Sequence, residues 1–196
     1  MKTNSLPIFP LEIVALPGTI HSLKIFEPRY LKMIKDCMKN DHGFVIVYQK
    51  KHSQKDEYEI SKKGSYVEII DFNNLPNGLL LIAVKSINKV LIKDLTKMED
   101  GLHVAKTQPV IDPEVDDQAL LAEFPEITNI LSQLVKHPKI IDIPLNVDFN
   151  SADSVAYHLA GLIPIPGSSK QSLLEAFDAS QRLSILSKYI EDLSST

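Results

Sequence analysis

The sequence predicts an α+β fold in which a β-rich half precedes a helical half. In the first half, short apolar runs alternate with turn residues such as Asn77-Gly78, which predicts about six strands in a small, strongly bent antiparallel sheet or barrel. In the second half, apolar residues recur at helical spacing, which predicts a bundle of three or four short helices. The acidic, proline-containing segment 112–117 joins the halves, so we expect residues 1–115 to form the β-rich part and residues 116–196 the helical part.

The strands are predicted from apolar runs bounded by turn residues. The first run, residues 6–16, contains Pro7 and Pro10, and because each proline removes a ladder donor we expect an edge or irregular strand there. The other predicted strands are residues 20–26, 44–48, 66–72, 79–84, 90–92 and 102–105. The polar stretch 52–59 is predicted to be a mobile loop.

Helix boundaries are predicted from capping residues. Glu27-Pro28 predicts the start of a helix, since proline suits the first helical position, and Asn40 predicts its end. Asn150-Ser151 can cap a helix of the second half. The pairs with capping-box spacing are Ser168 with Gln171 and Asp178 with Gln181.

Composition limits the class of protein. The chain has 196 residues, of which 44% are hydrophobic and 23% charged, as in an ordinary folded protein. Its single cysteine excludes an internal disulfide and a multi-cysteine zinc site, so we expect a reducing, cytoplasmic setting. No apolar stretch is long enough for a membrane helix, and the first apolar stretch is too interrupted for a signal peptide. The net charge of -4, without a dense basic stripe, makes nucleic acid a weak candidate partner.

Motifs for catalysis, cofactors and metals are absent from the sequence. It contains no P-loop, no Gly-x-Ser-x-Gly and no His-Glu-x-x-His, and its six histidines show no metal-ligand spacing. Cys37 lies on the apolar stripe of the first helix, which favours a buried structural thiol over a nucleophile. Ser168-Ser169-Lys170 could suggest a Ser-Lys dyad, but a capping serine explains it better, and His21 is interpreted as structural. We therefore expect no enzyme activity, no cofactor and no metal.

Arg29 is an unusual choice for the first turn of a helix, where the helix dipole disfavours a cation. We expect a structural ion pair, with Glu27 as the nearest partner in sequence. The sequence also predicts that Phe26, Pro28, Arg29 and Tyr30 hold the fold together and carry no chemistry. Loss of Arg29 is expected to cost roughly 1–3 kcal/mol of stability if the pair is partly buried.

One family combines these features in the same order. The segments 6–11, 14–19 and 23–30, the last reading Leu-Lys-Ile-Phe-Glu-Pro-Arg-Tyr, resemble the N-terminal substrate-binding domain of Lon protease. Residues 71–78 and 100–105 and the Gln181-Arg182-Leu183 stretch fit the same resemblance, which covers nearly the whole chain.

The resemblance implies a bent β pseudo-barrel related to PUA domains, followed by a helical bundle. It also implies a stand-alone bacterial version of the domain, since 196 residues leave no room for ATPase or Ser-Lys protease modules. The function that it implies is non-catalytic binding of unfolded or tagged polypeptide segments, as an adaptor or chaperone-like module in protein quality control with a protease or chaperone as partner.

An RNA-binding module is the alternative, because PUA relatives bind RNA; negative charge and the lack of tryptophan count against it. The sequence names no binding residues. An open edge at the proline-containing first strand and a cleft between the two halves are the two expected locations.

Overall fold

The computed structural model describes residues 4–51, 58–141 and 143–194. The chain divides into two compact units, residues 1–110 and 111–196. Within these described residues, the first unit has six strands and one long helix and the second has five helices, so the α+β fold class is confirmed. The boundary expected after residue 115 stays a prediction.

The first unit is a mixed six-stranded sheet with one helix. Its elements are β1 (Asn4–Leu11), β2 (Ile20–Ile25), α1 (Pro28–Lys39), β3 (Phe44–Lys51), β4 (Tyr58–Asn74), β5 (Leu80–Lys97) and β6 (His103–Pro109). The strand order is β2-β5-β4-β3-β1-β6, and a further pairing between β6 and β5 closes five of the strands into a ring. β2 remains outside this ring, paired along one side of β5.

The sequence predicted an edge or irregular strand at the N-terminus, and the edge position is wrong. β1 lies inside the sheet, parallel to β3 and antiparallel to β6, so the sheet is not wholly antiparallel. The two pairings overlap only at Ile8: β6 pairs with residues 4–8 and β3 with residues 8–11. Pro7 and Pro10 therefore each lie where β1 is paired on one side, and a missing N–H is tolerated on the other side.

Two further strand predictions need correction. Residues 90–92, expected as a separate strand, continue β5, which runs for 18 residues and pairs first with β2 and then with β6. Of the expected loop 52–59, residues 52–57 lie outside the described residues, whereas Tyr58 and Glu59 already belong to β4. The turn at the Asn-Gly pair is confirmed, with Gly78 at φ 76°.

Helix α1 covers one face of this sheet. Pro28 is its first residue and Asn40 its C-cap, as the sequence predicts. The stripe of Tyr30, Met33, Ile34 and Cys37 is buried against apolar residues of the sheet. Their burial stabilises this unit, because each fully buried large side chain contributes about 1.5–3 kcal/mol.

The second unit is helical. Its helices are α2 (Asp117–Glu123), α3 (Pro125–Leu134), α4 (Ala152–Leu162), α5 (Gly167–Glu175) and α6 (Ala179–Ser194). α2 was not expected, because its acidic start was interpreted as a linker; Asp116 caps it by accepting from the Ala119 N–H at 3.1 Å. No described helix combines the length and the apolar character needed to cross a bilayer.

Two of the three caps predicted in this unit are confirmed. Ser151 caps α4 and Asp178 caps α6, where the Gln181 side chain also accepts from the Phe177 N–H at 2.6 Å. The cap predicted at Ser168 is wrong: α5 starts at Gly167 with Pro166 as N-cap, so Ser168 already lies in the first turn.

Arg182 connects several elements of the second unit from a fully buried position. Its guanidinium pairs with Asp112 at 2.7 Å and with Asp153, and its Nε donates to the Leu173 carbonyl at 3.1 Å. The guanidinium also stacks 4.4 Å from the centre of the Tyr157 ring. Burial raises the pKa of the Tyr157 phenol, which therefore stays neutral beside this charge network.

We expect Arg182→Ala to lower the free energy of unfolding of the helical unit by about 3–5 kcal/mol, because it leaves two carboxylates without their buried cation. The matched control is Lys106→Ala, which breaks an exposed ion pair with Asp94 of similar length, 2.9 Å. That change should cost less than about 1 kcal/mol. Urea unfolding followed by circular dichroism measures both, and equal small losses would contradict the role given to Arg182.

Candidate functional site

The clearest open feature of the first unit is the edge of β4 beyond Val67. The pairing of β3 with β4 ends where Phe44 lies opposite Val67. Residues 68–74 of β4 continue alongside β5, and within the described chain no strand pairs with their other side. This stretch therefore presents main-chain donors and acceptors along an open edge.

Gly43 directly precedes β3 at the point where the pairing of β3 with β4 ends. Its backbone lies so close to β4 that a Cβ there would be 1.9 Å from the Val67 carbonyl oxygen. The Gly43 N–H donates to the Tyr66 hydroxyl at 2.8 Å, which holds the connection between α1 and β3 against β4. The chain reaches Gly43 through the turn that follows α1, so β3 begins only at Phe44, and no described strand other than β5 pairs with residues 68–74.

A groove of about 580 Å3 lies along the open edge. The end of α1 forms one wall with Cys37 and Met38, and the turn after it contributes Asp41 and His42. The other wall consists of Tyr66 and residues 68–72 of β4. Three apolar side chains at this groove are substantially exposed: Met38 at 42%, Ile70 at 50% and Phe72 at 51%.

A β-bulge at Ile70 determines which side chains face α1. The register places Ile69 opposite Val84 and Phe72 opposite Ile82, and both partners on β5 are fully buried. Since cross-strand partners share a face, Ile69 and Phe72 both point to the face covered by α1. In a regular strand, with Ile70 paired opposite Ala83, Phe72 would instead lie opposite Leu81 and point to the other face.

Carboxylates flank the open edge. Glu68 and Asp71 lie on the face opposite α1, across from Lys85 and Ala83 of β5. The Asp71 carboxylate accepts from the Phe72 N–H at 2.8 Å, which indicates that this N–H points away from β5 toward the open side. Asp41, in the left-handed region at φ 51°, adds a third carboxylate at the end of the groove.

Cys37 is the one residue of this groove that the sequence singled out. It is buried as expected, its thiol lies 3.6 Å from the Gly43 carbonyl, and burial raises its pKa to about 11. The thiolate is therefore scarce near neutral pH, and the side chain acts as packing between α1 and the Gly43 turn.

The other residues singled out by the sequence lie outside the groove. Arg29 forms the expected ion pair with Glu27 at 2.7 Å and also donates to the Gly101 carbonyl at 2.9 Å. The His21 ring lies 2.9 Å from the Thr19 hydroxyl, in keeping with a structural role. Phe26 was expected to help hold the fold together, but it follows the end of β2 at Ile25 and is 66% exposed, so its side chain does not support that role.

The structure gives no support for a Ser-Lys dyad or a metal centre in the described chain. The Ser168 carbonyl accepts from Ser172, and no hydrogen bond joins Ser168 or Ser169 to Lys170 within the described residues. Burial lowers the pKa of the Lys170 side chain. No group of three or more His, Cys, Asp or Glu side chains is placed to hold a metal within the described residues.

The groove residues Met38, Ile70 and Phe72 were missed by sequence reasoning. The signal that could have found them is a mismatch of lengths. The predicted strand 66–72 is longer than the predicted strand 44–48 that pairs with it. Part of the longer strand must therefore lack a partner on that side.

The comparisons with known proteins agree with each other. The family model described as the ATP-dependent protease La (LON) substrate-binding domain matches residues 5–192. Lon protease of Buchnera aphidicola is 26% identical over 95% of this chain, and Lon protease of Azospirillum brasilense is 28% identical over 94%. The chain spans about a quarter of the length of these relatives.

Solved structures show the same fold. A Lon N-terminal domain protein from Xanthomonas campestris matches with a TM-score of 0.78 and 26% identity, covering 95% of this chain and 98% of that one. The N-terminal domain of Lon protease from the Mycobacterium avium complex matches with a TM-score of 0.71 at 16% identity, covering 96% and 99%.

We expect Gly43→Ala to lower the free energy of unfolding by about 1–3 kcal/mol, because the new methyl group collides with the Val67 backbone of β4. Asp41→Gly is a control in the same turn: it removes a Cβ from a left-handed residue and should be nearly neutral or mildly stabilising. Denaturant unfolding compares the two, and a neutral Gly43→Ala would show that the close approach is not required.

Proposed function

We propose that this chain, which belongs to the LON substrate-binding domain family, binds extended polypeptide by strand addition at the open edge of β4. The observation that carries the proposal is that, among the described residues, no strand other than β5 pairs with residues 68–74, where a continuation of β3 would lie. A peptide in that position would continue the sheet where β3 leaves it.

Main-chain pairing suits a module that must accept many sequences. Every peptide offers the same N–H and C=O groups, so pairing with residues 68–74 requires an extended backbone rather than a particular side chain. An unfolded segment can meet this requirement, whereas a folded protein has few free extended segments to offer. This is the physical basis for preferring unfolded polypeptide as the ligand class.

The groove supplies the apolar part of the binding energy. Phe72 and Met38 are each about half exposed on the α1 side of the edge, where they can be covered by alternate side chains of an added strand. Burial of what remains exposed of one such side chain is worth about 1 kcal/mol. Few such contacts are available, so we expect weak, micromolar binding.

A non-catalytic role fits the chemistry of the described residues. Cys37, the candidate nucleophile nearest to the groove, is buried with a raised pKa. We therefore propose that the chain holds polypeptide without cutting it, as an adaptor or chaperone-like module in the cytoplasm that works with a protease or chaperone. RNA binding at this groove is disfavoured, because the described lining includes three carboxylates and neither Lys nor Arg.

Strand addition is tested with peptides methylated on alternate backbone nitrogens. A seven-residue apolar peptide matches the length of residues 68–74, and in an added strand every second N–H points to β4. Methylation of one alternate set should abolish binding, while methylation of the other set should leave it nearly unchanged, as measured by fluorescence anisotropy. Equal effects of the two sets would contradict strand addition, and tight RNA binding without any peptide signal would overturn the proposed function.

The position of the site is tested with two exposed phenylalanines. We expect Phe72→Ala to weaken binding of the apolar peptide about fivefold, with little loss of stability, because the side chain is half exposed in the free protein. Phe26→Ala removes an equally large exposed ring next to β2, outside the groove, and should not change the affinity. Weaker binding of the Phe26 variant alone would move the site to the edge formed by β2.

A further inference from the structure

We propose that the open edge of β4 selects extended segments in which apolar residues alternate with Lys or Arg. The proposal rests on the proposed function, since it assumes that an added strand occupies the position beside residues 68–74. It adds a charge requirement that main-chain pairing alone does not impose.

The two faces of the open edge differ in chemistry. On the α1 face lie Ile69 and Phe72, with Met38 of α1 beside them in the groove. On the opposite face lie Glu68 and Asp71, both exposed. The bulge at Ile70 creates this separation, because it places Phe72 on the α1 face and its neighbour Asp71 on the opposite one.

The two carboxylates on the outer face, Glu68 and Asp71, can each pair with a cation on an added strand. Lys85 lies opposite Glu68 on β5, but no ion pair joins these two side chains in the part of the chain that the structure describes. Asp71 accepts a hydrogen bond from the Phe72 N–H, which leaves its negative charge in place. A cation on the adjacent strand would therefore find two carboxylates within cross-strand reach.

An added strand must present its side chains in the same alternating way as β4. Its successive residues point to opposite faces, so one set meets Phe72 and Met38 and the other set meets Glu68 and Asp71. Apolar residues satisfy the first set and Lys or Arg the second. Amphipathic strand-forming segments carry this alternation of apolar and basic residues, and they expose it when they are unfolded.

The same carboxylates exclude other occupants of the edge. A second copy of this chain that paired through its own residues 68–72 would bring Glu68 and Asp71 of both copies together, and like charges on neighbouring strands repel. An acidic segment is disfavoured for the same reason. Selection therefore combines attraction of basic segments with rejection of acidic ones.

The experiment compares four seven-residue peptides for binding to the whole chain by fluorescence anisotropy. Three alternate Val with Lys, with Gln or with Glu, and the fourth has the Val and Lys residues in two blocks. We expect the alternating Val-Lys peptide to bind roughly 3- to 10-fold more tightly than the Val-Gln peptide, from two favourable cross-strand pairs. The Val-Glu peptide and the block peptide should bind more weakly than the Val-Gln peptide.

A charge-removing variant connects this preference to the two carboxylates. Glu68→Gln combined with Asp71→Asn keeps the side-chain shapes and an oxygen that can accept from the Phe72 N–H. We expect this variant to bind the Val-Lys and Val-Gln peptides equally. The control Asp94→Asn removes an exposed carboxylate outside the groove and should keep the wild-type preference.

The possible results separate the inference from the proposed function. Equal binding of the Val-Lys and Val-Gln peptides to the wild-type chain would overturn the charge selection and leave strand addition intact. A preference for Val-Lys that survives in the double variant would also overturn it, because the charge would act elsewhere. Failure of all four peptides to bind, with the chain folded, would overturn both proposals.

Discussion

The close approach of Gly43 to β4 is the constraint on which the open edge depends. With no side chain at this position, the chain can pass within contact of the Val67 carbonyl, where the Tyr66 hydroxyl holds its N–H. β3 begins opposite Val67, a few residues after α1 ends at Lys39. A longer β3 would fill the position next to residues 68–74, and a turn farther from β4 would leave the core under α1 less well covered.

Closure of the ring and opening of the edge come from the same long hairpin. β4 and β5 are long strands. One end of each belongs to the five-stranded ring, and beyond the ring the two strands continue to pair with each other. Free strand edges invite self-association, and here a bulge and two carboxylates stand at the edge. The bulge and the two carboxylates oppose pairing between identical copies of the chain. They still permit pairing with a strand that carries positive charges.

Local sequence signals predicted the features that depend on neighbouring residues. The start of α1 at Glu27-Pro28, the turn at Gly78 and the cap at Asp178 are of this kind. Non-local features were not predictable. The position of β1 inside the sheet depends on two partners that overlap at one residue, and the open edge depends on where β3 stops. The bulge at Ile70 changes the face of Phe72 without a proline or glycine to mark it. The family resemblance anticipated the fold but named no binding residue.

In the proposed complex, a bound peptide lies beside residues 68–74 of β4, where no described strand other than β5 pairs. Nuclear magnetic resonance of the whole chain with an isotope-labelled peptide tests it directly, through cross-strand contacts and amide hydrogen exchange. This placement of the peptide requires contacts between its backbone and residues 68–72, with slower exchange of the peptide amides that point to β4. Contacts confined to Ile20–Ile25 of β2, or to the helical unit, with residues 68–72 unchanged, would contradict it.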